Sequence, residues 1–401
     1  MKKAIFLLAI VVVLSSVSVS NAGNIFYVDV NSPNDPGTGS FNDPFRRIQD
    51  AIDDVNDNDT VKIRPGLYTG QGNCNLDLNG KSIAIRSIDP NDLNVVSSTI
   101  IDPNKAGRGF YFHSGEDANC VISGFTLRNG YTDGSGGAFF FANSDPTIRN
   151  CVIIGNMAAL GGGGIHCYYS NPTLKNCVIA GNMTQGNGGG IWCFKSSSSR
   201  IINCTISSNE ANWYGDGIYC HVSNVIITNS IFWSNNFNDI YVASGNADVN
   251  YCNIQSGWVG GGNIDQDPCF VSFDPNSDAN LWDFHLQSAY GRWDCGNSTW
   301  VNDVNTSPCI DAGDPNSEWS GELWPNGKRI NMGAYGGTNQ ASKNGNIADF
   351  DVSGTVDSID LNELASKWLD EDGGIANLDL TGRVDFADFS IFAENWLWKK
   401  N

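Results

Sequence analysis

Basic side chains are scarce in this chain. Lys and Arg number 23 against 43 Asp and Glu, a net charge of -20, and that balance argues against a nucleic-acid binder or a protein held by charge to an anionic membrane surface. Between residues 115 and 300 the only basic groups are Arg128, Arg149, Lys175, Lys195, Arg200 and Arg292, a thin supply for gripping a strongly anionic polymer unless a cation bridges it. Long apolar runs are missing too. The run from Ala4 to Leu14, behind Lys2 and Lys3, is too short for a transmembrane helix. With Ser20, Asn21 and Ala22 before Gly23 it reads as a secretory signal over 1–22, which predicts a secreted, extracellular protein. Helical periodicity is absent from the middle of the chain, where short runs of Ile, Val, Thr and aromatics alternate with Gly, Asn and Ser.

What is there instead is a repeat. The phrases NCVIIGN at 150–156, NCVIAGN at 176–182, NCTISSN at 203–209 and NSIFWSN at 229–235 recur. After the first three comes a glycine run opening a strand: GGGIHCYY from Gly162, GGGIWCF from Gly188, GDGIYCH from Gly215. Cysteines at 151, 177 and 204 step by 26 and 27, and those at 167, 193 and 220 do the same. Two columns keeping one period mean a unit stacked on copies of itself. Three short strands and three bends in about 26 residues make one coil of a solenoid whose equivalent strands pair in parallel, so the fold expected is an all-β right-handed parallel β-helix. In this the chain resembles secreted bacterial β-helix proteins of the pectate-lyase-like group, over residues 24–290. In that group asparagines stack at a bend, and Asn150, Asn176, Asn203 and Asn229 fit such an internal ladder.

Twelve cysteines would suggest disulfides in an exported protein. Each core column holds three, however, and in-register parallel side chains point the same way, which strains a bridge. The columns are expected as buried thiol ladders, with Cys252, Cys269, Cys295 and Cys309 as the better disulfide candidates. The organisation expected is an N-terminal strand and capping helix over 23–60, the β-helix over 61–290, a closing segment over 291–345 and a separate domain over 346–401. Asp43 and Pro44 predict the start of the capping helix, with Ile48, Ala51, Ile52 and Val55 on its buried face. The INMGAYGGT stretch looks like the closing segment of many such secreted proteins and is read as the second cap.

The C-terminal domain is an internal duplication. At a shift of 28, DFDVSGTVDSID at 349–360 matches NLDLTGRVDFAD at 377–388, and LNELASKWL matches FSIFAENWL. Calcium takes six to eight oxygens, which a twelve-residue loop supplies from positions 1, 3, 5, 7, 9 and 12, with Gly at 6 for the turn. Loop one offers Asp349, Asp351, Ser353, the Thr355 carbonyl, Asp357 and Asp360 around Gly354. Loop two offers Asn377, Asp379, Thr381, the Arg383 carbonyl, Asp385 and Asp388 around Gly382. The pair resembles a type I dockerin, the calcium-loop module that binds cohesin modules; Asp at position 12 is the dockerin habit. The resemblance implies two Ca²⁺ sites, a cohesin-type partner, and partner choice by Ser358, Ile359, Phe386 and Ala387. Ser353, Thr381 and Asn377 depart from the usual acids. Trp368 and Trp396, at matched places, are expected to pack on each other's helices.

On the solenoid, the uniformly apolar Ile165, Ile191 and Ile218, with Cys167, Cys193 and Cys220, are expected to face inward, and alternation puts their neighbours outside. One outward column reads His166, Trp192, Tyr219 and Tyr241, headed by Phe139; the next reads Tyr168, Phe194 and His221, headed by Phe141. Such a strip presents flat rings to the apolar C–H faces of sugars and polar atoms to their hydroxyls, unless a loop or the C-terminal segment covers it and makes it a second core. Asp216 and Asp239, on consecutive coils before Tyr219 and Tyr241, are the best acid–base pair for glycoside cleavage, against the alternative that both cap turns. The function expected is an exported polysaccharide-engaging β-helix tethered through a dockerin to a cohesin-bearing scaffold or surface. A lyase or glycoside hydrolase activity is implied by resemblance, and a non-catalytic adhesion or matrix protein is the alternative.

Overall fold

The computed structural model describes residues 23–371, 373–379, 381 and 383–399, with the side chain of Asn280 left aside; residues 1–22, where a secretory signal is expected, and Gly382 lie outside the described residues. Its body is a parallel β-solenoid with three main faces. One regular coil runs through Phe139–Ala142 on the first face, Thr147–Arg149 on the second and Val152–Ile154 on the third, then a short Met157–Ala158 pair before the next coil begins at Ile165. Each strand pairs in parallel with its equivalent, Ile165 beside Ile191 and Ile191 beside Ile218.

The core is built of columns. On the second face Val61, Ile85, Ile122, Ile148, Leu174, Ile201, Ile227 and Val249 stand in register, all fully buried. Burying each such aliphatic side chain contributes roughly 1.5–3 kcal/mol, and the β-branched residues suit the pleat. Cys167, Cys193 and Cys220 form the expected column and are fully buried. All twelve cysteines are thiols, so Cys252, Cys269, Cys295 and Cys309 form no disulfide here. Cys252 closes the Cys151 column, and Cys309 accepts a bond from Asn253 at 3.0 Å.

The internal asparagine ladder is the other asparagine of each phrase. Asn156, Asn182, Asn209 and Asn235 are buried, and the amide of each of the first three donates to the next carbonyl oxygen at 3.0 Å. Asn150, Asn176, Asn203 and Asn229 instead make the bend between the second and third faces at φ of 53°, 52°, 48° and 53°, left-handed geometry that Asn tolerates.

One end is closed by α1 (Ile48–Asp54), with Ile48, Ala51 and Ile52 buried as expected. Its start differs from the expectation at Asp43 and Pro44: Arg47 is the N-cap residue, and the Ile48 N–H is held by the Asn73 side chain at 3.0 Å. A second helix, α2 (Leu93–Ser98), tops a loop on the body. The closing segment, together with the chain just before it, lies across the third face, where Phe270, Phe284, Leu286, Met332 and Ala334 cover Ile154, Val178 and Ile231. It also satisfies the bend: Asn176 donates to the Ala334 and Gly336 carbonyls at 2.9 and 2.8 Å, and Asn203 to that of Asn331 at 2.9 Å.

The last unit carries α3 (Ser358–Ser366) and α4 (Phe386–Glu394) around Phe350, Val356, Leu364, Val384 and Phe392. Asp357 and Asp385 cap these helices in matched capping boxes with Asp360 and Asp388. The 28-residue duplication is visible in the backbone: Val356 exchanges hydrogen bonds with Leu397 and Trp398, and Val384 with Leu369 and Asp370. The two tryptophans do not match the expectation alike. Trp368 meets Phe386 of the other helix at 5.1 Å, whereas Trp396 meets Phe392 of its own chain segment at 5.8 Å.

Candidate functional site

The first face carries a continuous column of rings. Its register corrects the sequence reading by one residue: Phe139 and Phe141 pair with Ile165 and Cys167 and are fully buried core. The outward column is headed by Phe140, beside His166, and by Tyr111 before it. The triple Phe run offered two parities, and the pairing with Ile165 decides between them. The column then reads Tyr111, Phe140, His166, Trp192, Tyr219 and Tyr241, with successive centroids 5.4, 5.1, 4.5, 6.2 and 5.7 Å apart. The second column is Ala142, Tyr168, Phe194 and His221.

All of these rings except His166 are half-buried, chiefly against each other. His166, only 5% exposed, lies between Phe140 and Trp192 with neither ring nitrogen hydrogen-bonded. Burial, with the Arg108 charge nearby, holds its pKa down to about 3, so it is a neutral ring of the stack rather than a base. Trp192 folds back over Gly161, where a Cβ would collide with the indole. Cations flank the strip: Lys195 sits 5.2 Å over Tyr168 and 5.3 Å over Phe194, and Arg108 sits 5.1 Å over Tyr111. Tyr214, half-exposed on its bend, extends the strip by stacking on Tyr241 at 4.6 Å. Tyr111, Phe140 and Tyr214 escaped the sequence reading, although the aromatic residue beside Gly215 was a signal available for the last.

Asp216 and Asp239 do come together, at the turn that precedes the strand opening at Ile240. Asp216 is 2% exposed, and its oxygens accept from the N–H groups of Ala211, Phe237 and Asn238 at 2.9, 2.9 and 2.8 Å. That is the turn-capping role, and it corrects the expectation of an available carboxylate there. Asp239 is different. It accepts from Asn235, the last rung of the asparagine ladder, at 2.6 Å, while its other oxygen has no partner. Burial, opposed by the Asn235 bond and reinforced by the Asp216 charge, raises its pKa to about 7. It lines a polar cleft of about 450 Å³ with Phe237, Gln255 and Trp258. A second cleft of about 390 Å³ lies between the second-face bend and the closing segment, lined by Arg149 and Lys175, which stand in register on adjacent coils.

In the C-terminal unit, Asp349, Asp351 and Asp360 have carboxylate oxygens within 4.8 Å of one another. Asp349 is 4% exposed and Asp360 fully buried. Burial and the Asp360 charge push the Asp349 carboxyl up, and no basic side chain pairs with the three among the described residues. Three close carboxylates, two of them buried, fit a divalent cation. Ser353 and Thr355 lie within this loop, their hydroxyls 3.1 Å apart, and Asp357 is spent on its cap. In the second loop Asp388 accepts from the Asp379 and Asp385 N–H groups at 3.1 and 2.8 Å, and Thr381 donates to Asp379. No comparable acidic cluster forms there among the described residues, consistent with Asn377 in the place of Asp.

A family model described as a right handed beta helix region matches residues 116–276, which covers the regular coils. A solved structure titled "Crystal structure of pectate lyase Pel9A" is similar at a TM-score of 0.42 and 18% identity, covering 81% of this chain and 97% of that chain. A search of curated proteins found no match. Among the described residues no helix is long and apolar enough to cross a membrane.

Proposed function

We propose that this protein engages a polysaccharide along the ring column of its first face and is held in place by a calcium-loaded, dockerin-like C-terminal domain. The observation that carries the reading is the unbroken run of six rings from Tyr111 to Tyr241 on consecutive coils, five of them half-buried, on a different face from the third, where the closing segment packs. Rings about 5 Å apart on a rigid scaffold, alternately stacked and edge-on, offer a pre-ordered apolar track, so a stiff sugar chain binds without ordering the protein first. Half-buried Tyr219, Tyr241 and Tyr168 add hydroxyls at the edges of the track.

Asp239 is the group we assign to any bond cleavage. A carboxyl carrying its proton near neutrality beside Tyr241 suits a general acid. Asp216, fixed by three backbone N–H groups, positions the turn that carries Asp239 rather than reacting itself. The non-catalytic reading keeps the same strip and gives Asp239 only the role of terminating the asparagine ladder.

Export behind the 1–22 signal, the domain boundaries given above and a cohesin-type partner belong to the same proposal. Calcium, when bound, would neutralise the crowded carboxylates and lock each loop to its helix. Asp349, Asp351 and Asp360 would hold it in the first loop. Exposed Ile359 and Phe386, at the head of each helix, suit a partner surface. The test is a panel of neutral and acidic glycans offered to the purified protein, following binding, new reducing ends and the absorbance of unsaturated products. Binding without either product selects the adhesion reading, and no binding to any glycan contradicts both.

A further inference from the structure

The chain that follows the regular coils, from Asp283 into the closing segment, contains a cluster unrelated to the strip or the calcium loops. Its hairpin of Arg292–Asp294 and Thr299–Val301 places Cys295 at the mouth of the turn, where Asp294 fixes the chain by accepting from the Gly296 N–H and the Asn297 side chain at 3.0 and 2.8 Å. The neighbouring strand Asp283–Leu286 brings His285 beneath it. Cys295 Sγ lies 3.9 Å from His285 Nε2, and His285 Nδ1 lies 2.5 Å from Asp283 Oδ1. Tyr335 stacks on the imidazole at 3.9 Å and 7°. The thiol is half-exposed while the His285 side chain is only 2% exposed.

We propose that Cys295, His285 and Asp283 form an activated-thiol site that exchanges with small-molecule disulfides. Nucleophile, buried ring and orienting carboxylate follow one another in the order that thiol activation requires. Burial pulls His285 down, but the Asp283 charge and hydrogen bond and the Cys295 contact outweigh it, and the ring keeps its proton up to about 9. The charged groups around it are Asp283, and behind that Arg292, which is itself engaged by Asp303; Tyr335 is neutral. Cys295 Sγ therefore faces an imidazolium N–H 3.9 Å away, a proton donor within reach of the sulfur that leaves.

In the exchange, the Cys295 thiolate attacks one sulfur of R–S–S–R. A Cys295–S–S–R bond forms, the original S–S bond breaks, and the leaving thiolate takes the Nε2 proton of His285, which solvent restores. Cys295 is oxidised and the small disulfide is reduced.

The test uses internal controls. Cys74 and Cys269 are the other half-buried thiols, and no His contacts them among the described residues. The full-length protein is treated with oxidised glutathione at pH 6.5, and uptake at each cysteine is followed by peptide mass spectrometry. Cys295 should take up glutathione about tenfold or more faster than Cys74 and Cys269, and Asp283→Asn should erase that advantage without changing the other two. Equal rates at the three thiols in the native protein would overturn the proposal, as would an Asp283→Asn protein in which Cys295 stays ahead. If Asp283→Asn loosens the segment, Cys269, next to the strand that pairs with Asp283–Leu286, speeds up along with Cys295 while Cys74 does not, and His285→Gln replaces it with the same expected outcome.

Discussion

His166 and Trp192 lie face to face on adjacent coils, their centroids 4.5 Å apart and their planes 20° from parallel. The histidine is the buried floor of the strip and the indole is half-buried beside it, so His166 serves the stack while Trp192 keeps part of its ring at the surface. His166→Phe should preserve the stack and any glycan affinity, and should remove two polar atoms that now lack partners. Denaturant titration should show it no less stable than the parent; a loss above about 1 kcal/mol would mean that the ring nitrogens do have partners in solution.

The asparagine ladder makes a sharper prediction. Asn182 accepts from the Asn156 N–H and side chain and donates to the Ile153 carbonyl and Asn209. Asn182→Ala leaves those buried groups unpaired and should cost about 2–4 kcal/mol, measured as a lower chemical denaturation midpoint. Asn176→Ala, at a bend where its side chain donates to the Ala334 and Gly336 carbonyls of the closing segment, should cost less, apart from its left-handed φ.

Glu322 sets a pH dependence. It is 5% exposed, one oxygen accepts from the Asn331 and Gly337 N–H groups and the other has no partner. Burial, outweighing those two hydrogen bonds and helped by the Asp311 charge, raises its pKa from 4.5 to about 8. The unfolded chain loses this proton near 4.5 and the folded chain keeps it to about 8, so the folded state binds more protons across that window and stability falls as pH rises through it. Asp239 adds the same sign between its ordinary value and about 7. Glu322→Gln should flatten the decline between pH 5 and 8 in denaturation midpoints; an unchanged slope would show that Glu322 is ionised in the fold.

The calcium loops are tested by calorimetry. Ca²⁺ should bind and raise the melting temperature of the C-terminal unit, by about 2.7 kcal/mol of stabilisation at a hundredfold excess over Kd. Asp351→Ala should remove the stronger site, because its loop gathers Asp349, Asp351 and Asp360, and adding Asp379→Ala should abolish binding. No heat in the parent protein would remove the calcium reading.

Period was the most legible property of this chain. The recurrence of Cys151, Cys177 and Cys204 specified parallel coils, and uniform Ile165, Ile191 and Ile218 specified the inward parity, because only a buried column tolerates nothing else. Ambiguity entered wherever the local text offered two answers. Each phrase holds two asparagines at constant spacing, and periodicity alone does not say that Asn156 rather than Asn150 points inward. Phe139, Phe140 and Phe141 are chemically alike, so only pairing with Ile165 ranks them. Cys295 and His285 belong to no repeat; a non-periodic hairpin brings them together, and no spacing rule announces it.

Asp239→Asn separates the two functional readings. If cleavage products are found in the parent, the variant should lose them at least about a hundredfold while retaining glycan binding. Full retained activity would remove Asp239 from the chemistry.

Sugar binding on the ring column is tested most directly by one titration: a bound glycan from the panel, measured by calorimetry against the parent protein and against Trp192→Ala with Tyr219→Ala. Loss of two stacking rings should weaken binding by about tenfold or more with the fold intact by circular dichroism. Unchanged affinity in the folded double variant would contradict the ring column as the place where sugar binds.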